Sequence, residues 1–201
     1  MALATYTNLL AAAASWLARS DLTSQIPDFV TLAQARINRD VRAQAMETKS
    51  ASFSINGEYV NVPADFLEAK HFYIPGSPNR VLSRADEEHF SDYQTTDKPR
   101  YFAVVGTQFR FAPVPAATYT ATLVYYAKPA TLAATTQETN SLFPANADLY
   151  LYATLLEAES FIQNDPRLPV WKAAYEEAVA KINGQAKRQA AMGGPMATRP
   201  G

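Results

Sequence analysis

The chain has 201 residues, enough to bury roughly 70% of its unfolded surface without a disulfide or a structural metal. Its 18 basic and 19 acidic side chains leave a formal net charge of -1, so it lacks the basic excess that broad binding to DNA or RNA requires. With 48% hydrophobic and 18% charged residues it is not a disordered chain, and the absence of cysteine removes disulfides, thiolate nucleophiles and cysteine-based metal sites.

Residues 5–18 place Tyr6, Leu9, Leu10, Ala13, Trp16 and Leu17 at helical spacing, which predicts a short amphipathic helix. The apolar run LLAAAASWLA within it is not expected to be a secretion signal, because no basic residue precedes it and Arg19 and Asp21 follow at once. No stretch reaches the ~20 apolar residues that cross a bilayer, so a soluble chain with no membrane partner is expected. After a break at Ser20-Asp21, Pro27 opens a second predicted helix over 27–42. Ile26, Val30, Ala33, Ile37 and Val41 form its inward stripe, and Arg36, Arg39, Asp40 and Arg42 fall mainly on the other side.

From Ser50 the period changes to two. Residues 52–55 and 58–62 flank Asn56-Gly57, a dipeptide suited to a type I′ turn, and this predicts a hairpin. Residues 66–74 read as a strand ended by Pro75-Gly76-Ser77-Pro78, and Ser83-Arg84-Ala85-Asp86 as the cap of a short helix reaching Phe90. Residues 100–105 and 108–111 flank Gly106-Thr107, which predicts a second hairpin of type II′. Across 118–127, Tyr119, Ala121, Leu123 and Tyr125 alternate with Thr120, Thr122, Val124 and Tyr126, so one face is expected to be the more deeply buried.

A polar linker over 129–139 leads to two further predicted helices, 146–163 and 167–185, separated at Asn164-Asp165-Pro166. In the first of these, Leu151, Leu155, Ala158 and Ile162 make one face, while Leu149, Tyr152, Leu156 and Phe161 cover much of the remainder. Such a helix needs cover on several sides, and a neighbouring subunit is the expected source. Residues 186–201 hold glycine, proline and basic side chains with little to pack, and read as a frayed helix end and a mobile tail. The fold class is therefore α+β. Terminal helices (1–48 and 140–185) form a small helical bundle, with a central β-rich lobe (49–139) inserted between them.

Catalytic chemistry has little to stand on. Asp86-Glu87-Glu88-His89 is the nearest approach to a metal or acid–base site, but consecutive charges fan around a helix instead of converging. His71 stands alone in an apolar strand with no serine or carboxylate placed to orient it. The seven glycines form neither a dinucleotide fingerprint nor a phosphate loop, so no cofactor is expected and metal ligands are none. Tyr101, Tyr119, Tyr125, Tyr126, Tyr150 and Tyr152 suit a core and a subunit interface better than stacking on single-stranded nucleic acid, which normally comes with a basic groove. Arg36, Arg39 and Arg42 alternate with acids on one helix and suit ion pairs or solvent better than a phosphate backbone. Two rival readings are a hydrolase with carboxylates converging at Glu157 and Glu176, and a nucleic-acid module built on those arginines.

Several ordered segments resemble the adaptor proteins of tailed phages. They are LTSQIPDFVTLAQARINRDVR at 22–42 followed by Met46-Glu47-Thr48, and Val62-Pro63-Ala64-Asp65-Phe66-Leu67-Glu68. Pro113-Val114-Pro115 ahead of LVYYAK at 123–128, and Asn140-Ser141-Leu142-Phe143 ahead of DLYLYA at 148–153, complete the set. The resemblance spans about 5–185. It implies a head-to-tail adaptor of short-tailed and related phages, found in the virion and assembled in the host cytoplasm. Such adaptors form a homo-oligomeric ring, commonly of twelve copies, under the portal protein and above a tail tube or nozzle protein, with genomic DNA passing through the lumen without sequence-specific binding. The resemblance implies no catalytic residue. It gives the helices the role of ring wall and makes the tail from 187 onward a portal-docking arm. The candidates for subunit contact and portal docking are then Arg36, Arg39, Arg42, Tyr150, Tyr152, Trp171, Lys187, Arg188, Met192, Met196 and Arg199.

Overall fold

The computed structural model describes residues 3–19, 21–86, 88, 90, 93, 95–162 and 165–192. The fold is α+β, and the chain divides into two compact units, Met1–Met46 with Pro129–Gly201 and Glu47–Lys128.

The first unit is helical. Helix α1 (Tyr6–Leu17) is capped by Thr5, whose side chain accepts from the Asn8 N–H at 3.2 Å. Helix α2 (Ile26–Asp40) has Pro27 in its first turn, where the missing N–H costs nothing. Helix α3 (Ala147–Glu157) gives way at Ala158 to the short α4 (Glu159–Ile162), and α5 (Leu168–Met192) closes the unit. The helix predicted to end at 185 thus continues to Met192, and the segment read as a tail from 186 begins as helix.

Helix α3 packs against α1, α2 and α5. Leu149, Tyr150, Leu151, Ala153, Thr154, Leu155 and Leu156 are all buried in a single chain. The expectation that a neighbouring subunit covers this helix is therefore overturned: its apolar circumference makes it the central helix of its own unit. Segment 129–139 is bound into the same unit. The Leu132 N–H donates to the buried Gln34 side chain at 2.8 Å, and the Tyr6 N–H donates to the Glu138 carbonyl at 2.7 Å. The Glu138 carboxylate accepts from the Thr7 N–H at the start of α1 (2.9 Å) and is held below the usual carboxylate range chiefly by that bond.

The second unit is a pair of four-stranded sheets. One has the order β1 (Glu47–Ile55), β10 (Tyr119–Ala127), β3 (Phe66–Ile74), β4 (Arg80–Val81); the other runs β2 (Tyr59–Asn61), β8 (Gln108–Ala112), β7 (Tyr101–Val105), β5 (Ser83–Arg84). A short parallel pair joins β6 (Thr96–Asp97) to β9 (Val114–Pro115). The core between the sheets is aromatic. Phe53 and Phe72 come from the first sheet and Phe102, Phe109 and Phe111 from the second, with paired centroids 5.3–6.2 Å apart, edge-on as in Phe72–Phe102 or tilted as in Phe72–Phe109. On β10 it is Ala121, Leu123 and Tyr125 that enter this core, so one of the two alternating faces is the more deeply buried, as expected.

Two local expectations fail here. The arms around Asn56-Gly57 do not pair: β1 pairs with β10 and β2 with β8, so the chain crosses from one sheet to the other, and Gly57 has no positive φ. Ser83 and Arg84 do not cap a helix but form a strand, because the Ser83 and Ala85 N–H groups donate to Arg100 and Phe102 carbonyls along β7. The second hairpin forms as expected. Gly106 and Thr107 link Val105 to Gln108, with positive φ at Gly106 alone (60°), the pattern of a type II′ turn.

Candidate functional site

Chemistry that needs converging polar groups has little to work with among the described residues, which include no cluster of three or more metal-ligating side chains. Asp86 and Glu88 are exposed, while Glu87 and His89 lie outside the described residues. His71 is exposed on β3 with its ring 5.2 Å from that of Tyr73. Glu157 is engaged by Arg36 at 2.6 Å, and Glu176 stands in solvent with Lys172 at 4.0 Å.

The arginines of α2 have separate fates. Arg36 reaches Glu157 on α3 from a half-buried position and lies 6.0 Å from the Tyr175 ring, an ion pair within one chain. Arg42 donates to the Asn38 and Val41 carbonyls at 2.9 and 2.7 Å, closing the end of α2, and its own N–H donates to Asn183 on α5. Arg39 is exposed. Tyr175 donates to Asp40 at 2.7 Å, and burial, then that carboxylate, pushes its hydroxyl pKa up.

Two of the residues singled out as contact candidates are interior. Tyr150 is 1% exposed, edge-on to Phe143 at 5.0 Å, and its hydroxyl meets the Asn140 amide at 3.1 Å. Loss of water pushes that hydroxyl up to about 12. Trp171 is 3% exposed beneath the Arg167 guanidinium, 4.9 Å from its centroid. Tyr152 is half-buried and edge-on to Trp16 at 5.9 Å. Lys187 and Arg188 are exposed near the end of α5, and Met192 is the last residue of that helix. Met196 and Arg199 lie outside the described residues.

The exposed large apolar side chains described in the helical unit are Trp16 at the end of α1 (43% exposed), Phe161 on α4 (49%), Val170 in the first turn of α5 (67%) and Leu32 in the middle of α2 (52%). Phe161 is anchored by the Phe29 ring at 5.1 Å, and Trp16 by Tyr152 and by Arg167, which donates to its carbonyl at 2.7 Å. Arg19 is neutralised locally by Asp21 and Arg167 by Asp165, each at 2.6 Å. The sequence reading placed Trp16 on the inward stripe of α1. The buried members of that stripe are Tyr6, Leu9, Ala13 and Leu17, and Trp16, seven residues from Leu9 and so on the same face, carries no sequence signal of its exposure.

No helix is long and apolar enough to cross a membrane among the described residues. The family of the SU10 adaptor protein matches residues 4–199, almost the whole chain. No curated protein matches it by sequence.

Proposed function

The chain belongs to the SU10 adaptor protein family, a family of phage adaptors, and from that premise we propose that it is a non-enzymatic virion protein joining the portal to the tail of a short-tailed or related phage. Copies form a closed ring, commonly of twelve, around a channel through which genomic DNA passes without base-specific contacts. The observation that carries the reading is the family match over 4–199. The exposed apolar side chains Trp16, Leu32, Phe161 and Val170 support it, since a heterologous contact between unlike faces closes into a ring when the rotation fits. Lys187, Arg188 and the residues beyond Met192 are the portal-docking arm of this reading, with Arg39 and Tyr152 as further contact residues.

The test is electron microscopy of the purified chain mixed with the portal protein of the same phage. Rings seated on portals are the expected result. Portals that remain bare at micromolar chain, with the chain itself folded by circular dichroism, would refute the proposal.

A further inference from the structure

Within the helical unit, α5 outruns the rest of its core. Its last buried side chain among the described ones is Ile182, yet it continues to Met192, about 15 Å further at 1.5 Å per residue. Beneath this overhang is a groove of about 380 Å³. Ala178, Ile182 and Ala186 of α5 form one wall at one-turn spacing, and Ala45 and Ala145 form part of the other. Gln44, Gln185 and Gln189 rim it. Small side chains let a backbone approach closely, and amides satisfy both the N–H and the C=O of an extended peptide. Lys181 is hydrogen-bonded to Glu177 on its own helix (2.6 Å) and also feels the charge of Asp148, the carboxylate in the first turn of α3 at the groove's far end.

We propose that this groove takes the chain's own residues 195–199, Pro-Met-Ala-Thr-Arg. Reach and charge select this occupant. Gly193-Gly194 directly follows the helix, and glycine permits the reversal that would aim the chain back along α5. The α5 wall from Ala178 to Gln189 is about 16 Å long, the span of about five extended residues at ~3.3 Å each. In that register Met196 lies beside Ala186 and Arg199 meets Asp148. The segment carries a single charge, opposite to that of Asp148. For a portal-docking arm the groove is a sheath that the portal must empty. That consequence rests on the portal reading, whereas the contact itself does not.

The absence of native cysteine allows a direct test on the full chain without any portal. One variant carries Gln44→Cys with Met196→Cys; its control carries Ala180→Cys, exposed on the far side of α5, with Met196→Cys. Diamide oxidises each thiol pair to a disulfide, and intrachain bridging is followed by free-thiol count and mass under non-reducing conditions. Bridging of the groove pair about tenfold faster than the control is expected from the raised effective concentration. Adding Ala186→Trp, which fills the groove, should bring the rate down to that of the control. Equal rates for the two pairs, or covalent dimers in place of intrachain bridges, would overturn the proposal.

Discussion

Asn140→Ala should be among the most damaging single substitutions in the helical unit. Its Oδ1 accepts from the Leu142 and Phe143 N–H groups at 3.1 and 2.9 Å, its Nδ2 donates to the Ala130 carbonyl at 2.9 Å, and the same amide meets the Tyr150 hydroxyl. Truncation leaves two buried N–H groups without an acceptor, each costing about 1–3 kcal/mol. The carbonyl and the hydroxyl add less, since either can turn to another partner or admit a water. Because one side chain serves all of these groups, the terms do not add fully, and a loss of about 4 kcal/mol is expected. Both tryptophans, Trp16 and Trp171, belong to the helical unit, so urea unfolding followed by tryptophan fluorescence reports on that unit. Tyr150→Phe is the calibrating variant: it removes one partner and leaves Asn140 its three backbone bonds, for about 1 kcal/mol. A loss below about 1 kcal/mol in Asn140→Ala would refute the claim that this amide organises the entry to α3.

Tyr150 also sets an alkaline limit. Its folded value, about 12, is raised above the ordinary 10.0, so the stability it contributes is complete below pH 10 and is lost as pH rises towards 12. Urea midpoints across that window should fall less steeply in Tyr150→Phe than in the parent, and equal slopes would contradict the assignment. Gly106→Ala should cost the β unit about 1 kcal/mol, because an added Cβ meets nothing within 4 Å and the penalty is the positive φ alone. It is read by far-UV circular dichroism during unfolding, where an unchanged midpoint counts against the turn assignment. Trp16→Ala with Phe161→Ala should lower the unfolding free energy in urea by about 1–3 kcal/mol, the loss of two aromatic pairs, while the chain still folds. The same pair should abolish rings on portals under the microscope. Rings formed as readily as by the parent would place the contact elsewhere.

What the sequence could reveal followed from local rules. Strand 66–74, the one-sided burial of 118–127 and the Gly106 turn depend on alternation and on one backbone angle, and each is found as expected. Asn56-Gly57 shows the boundary of such rules. The dipeptide says that the chain turns, but the partner of each arm is fixed by which sheet completes the aromatic core. Phe53 and Ile55 enter from the β10 side and Val60 from the β8 side. Ser83-Arg84 fails for the same reason: a capping sequence lost to carbonyls on β7, a partner close in space and remote in reading. Asn140 stood in the quoted Asn-Ser-Leu-Phe segment, yet its fourfold hydrogen bonding could not be seen without the positions of Ala130 and Tyr150.

The surfaces for partners were the least legible, and α3 shows why. An apolar circumference states only that a helix is surrounded; whether its neighbours belong to the same chain depends on how many helices that chain can fold around it. Here α1, α2 and α5 suffice for Leu149, Leu151, Leu155 and Leu156, while Phe161, from the same predicted helix, stays exposed. The better signal of a partner is an exposed apolar side chain held in place by another residue, as Trp16 is by Tyr152 and Phe161 by Phe29. Both are half exposed, yet their rings rest on aromatic neighbours, so a second copy docking there would have less side-chain entropy to restrict than if it met two unsupported side chains.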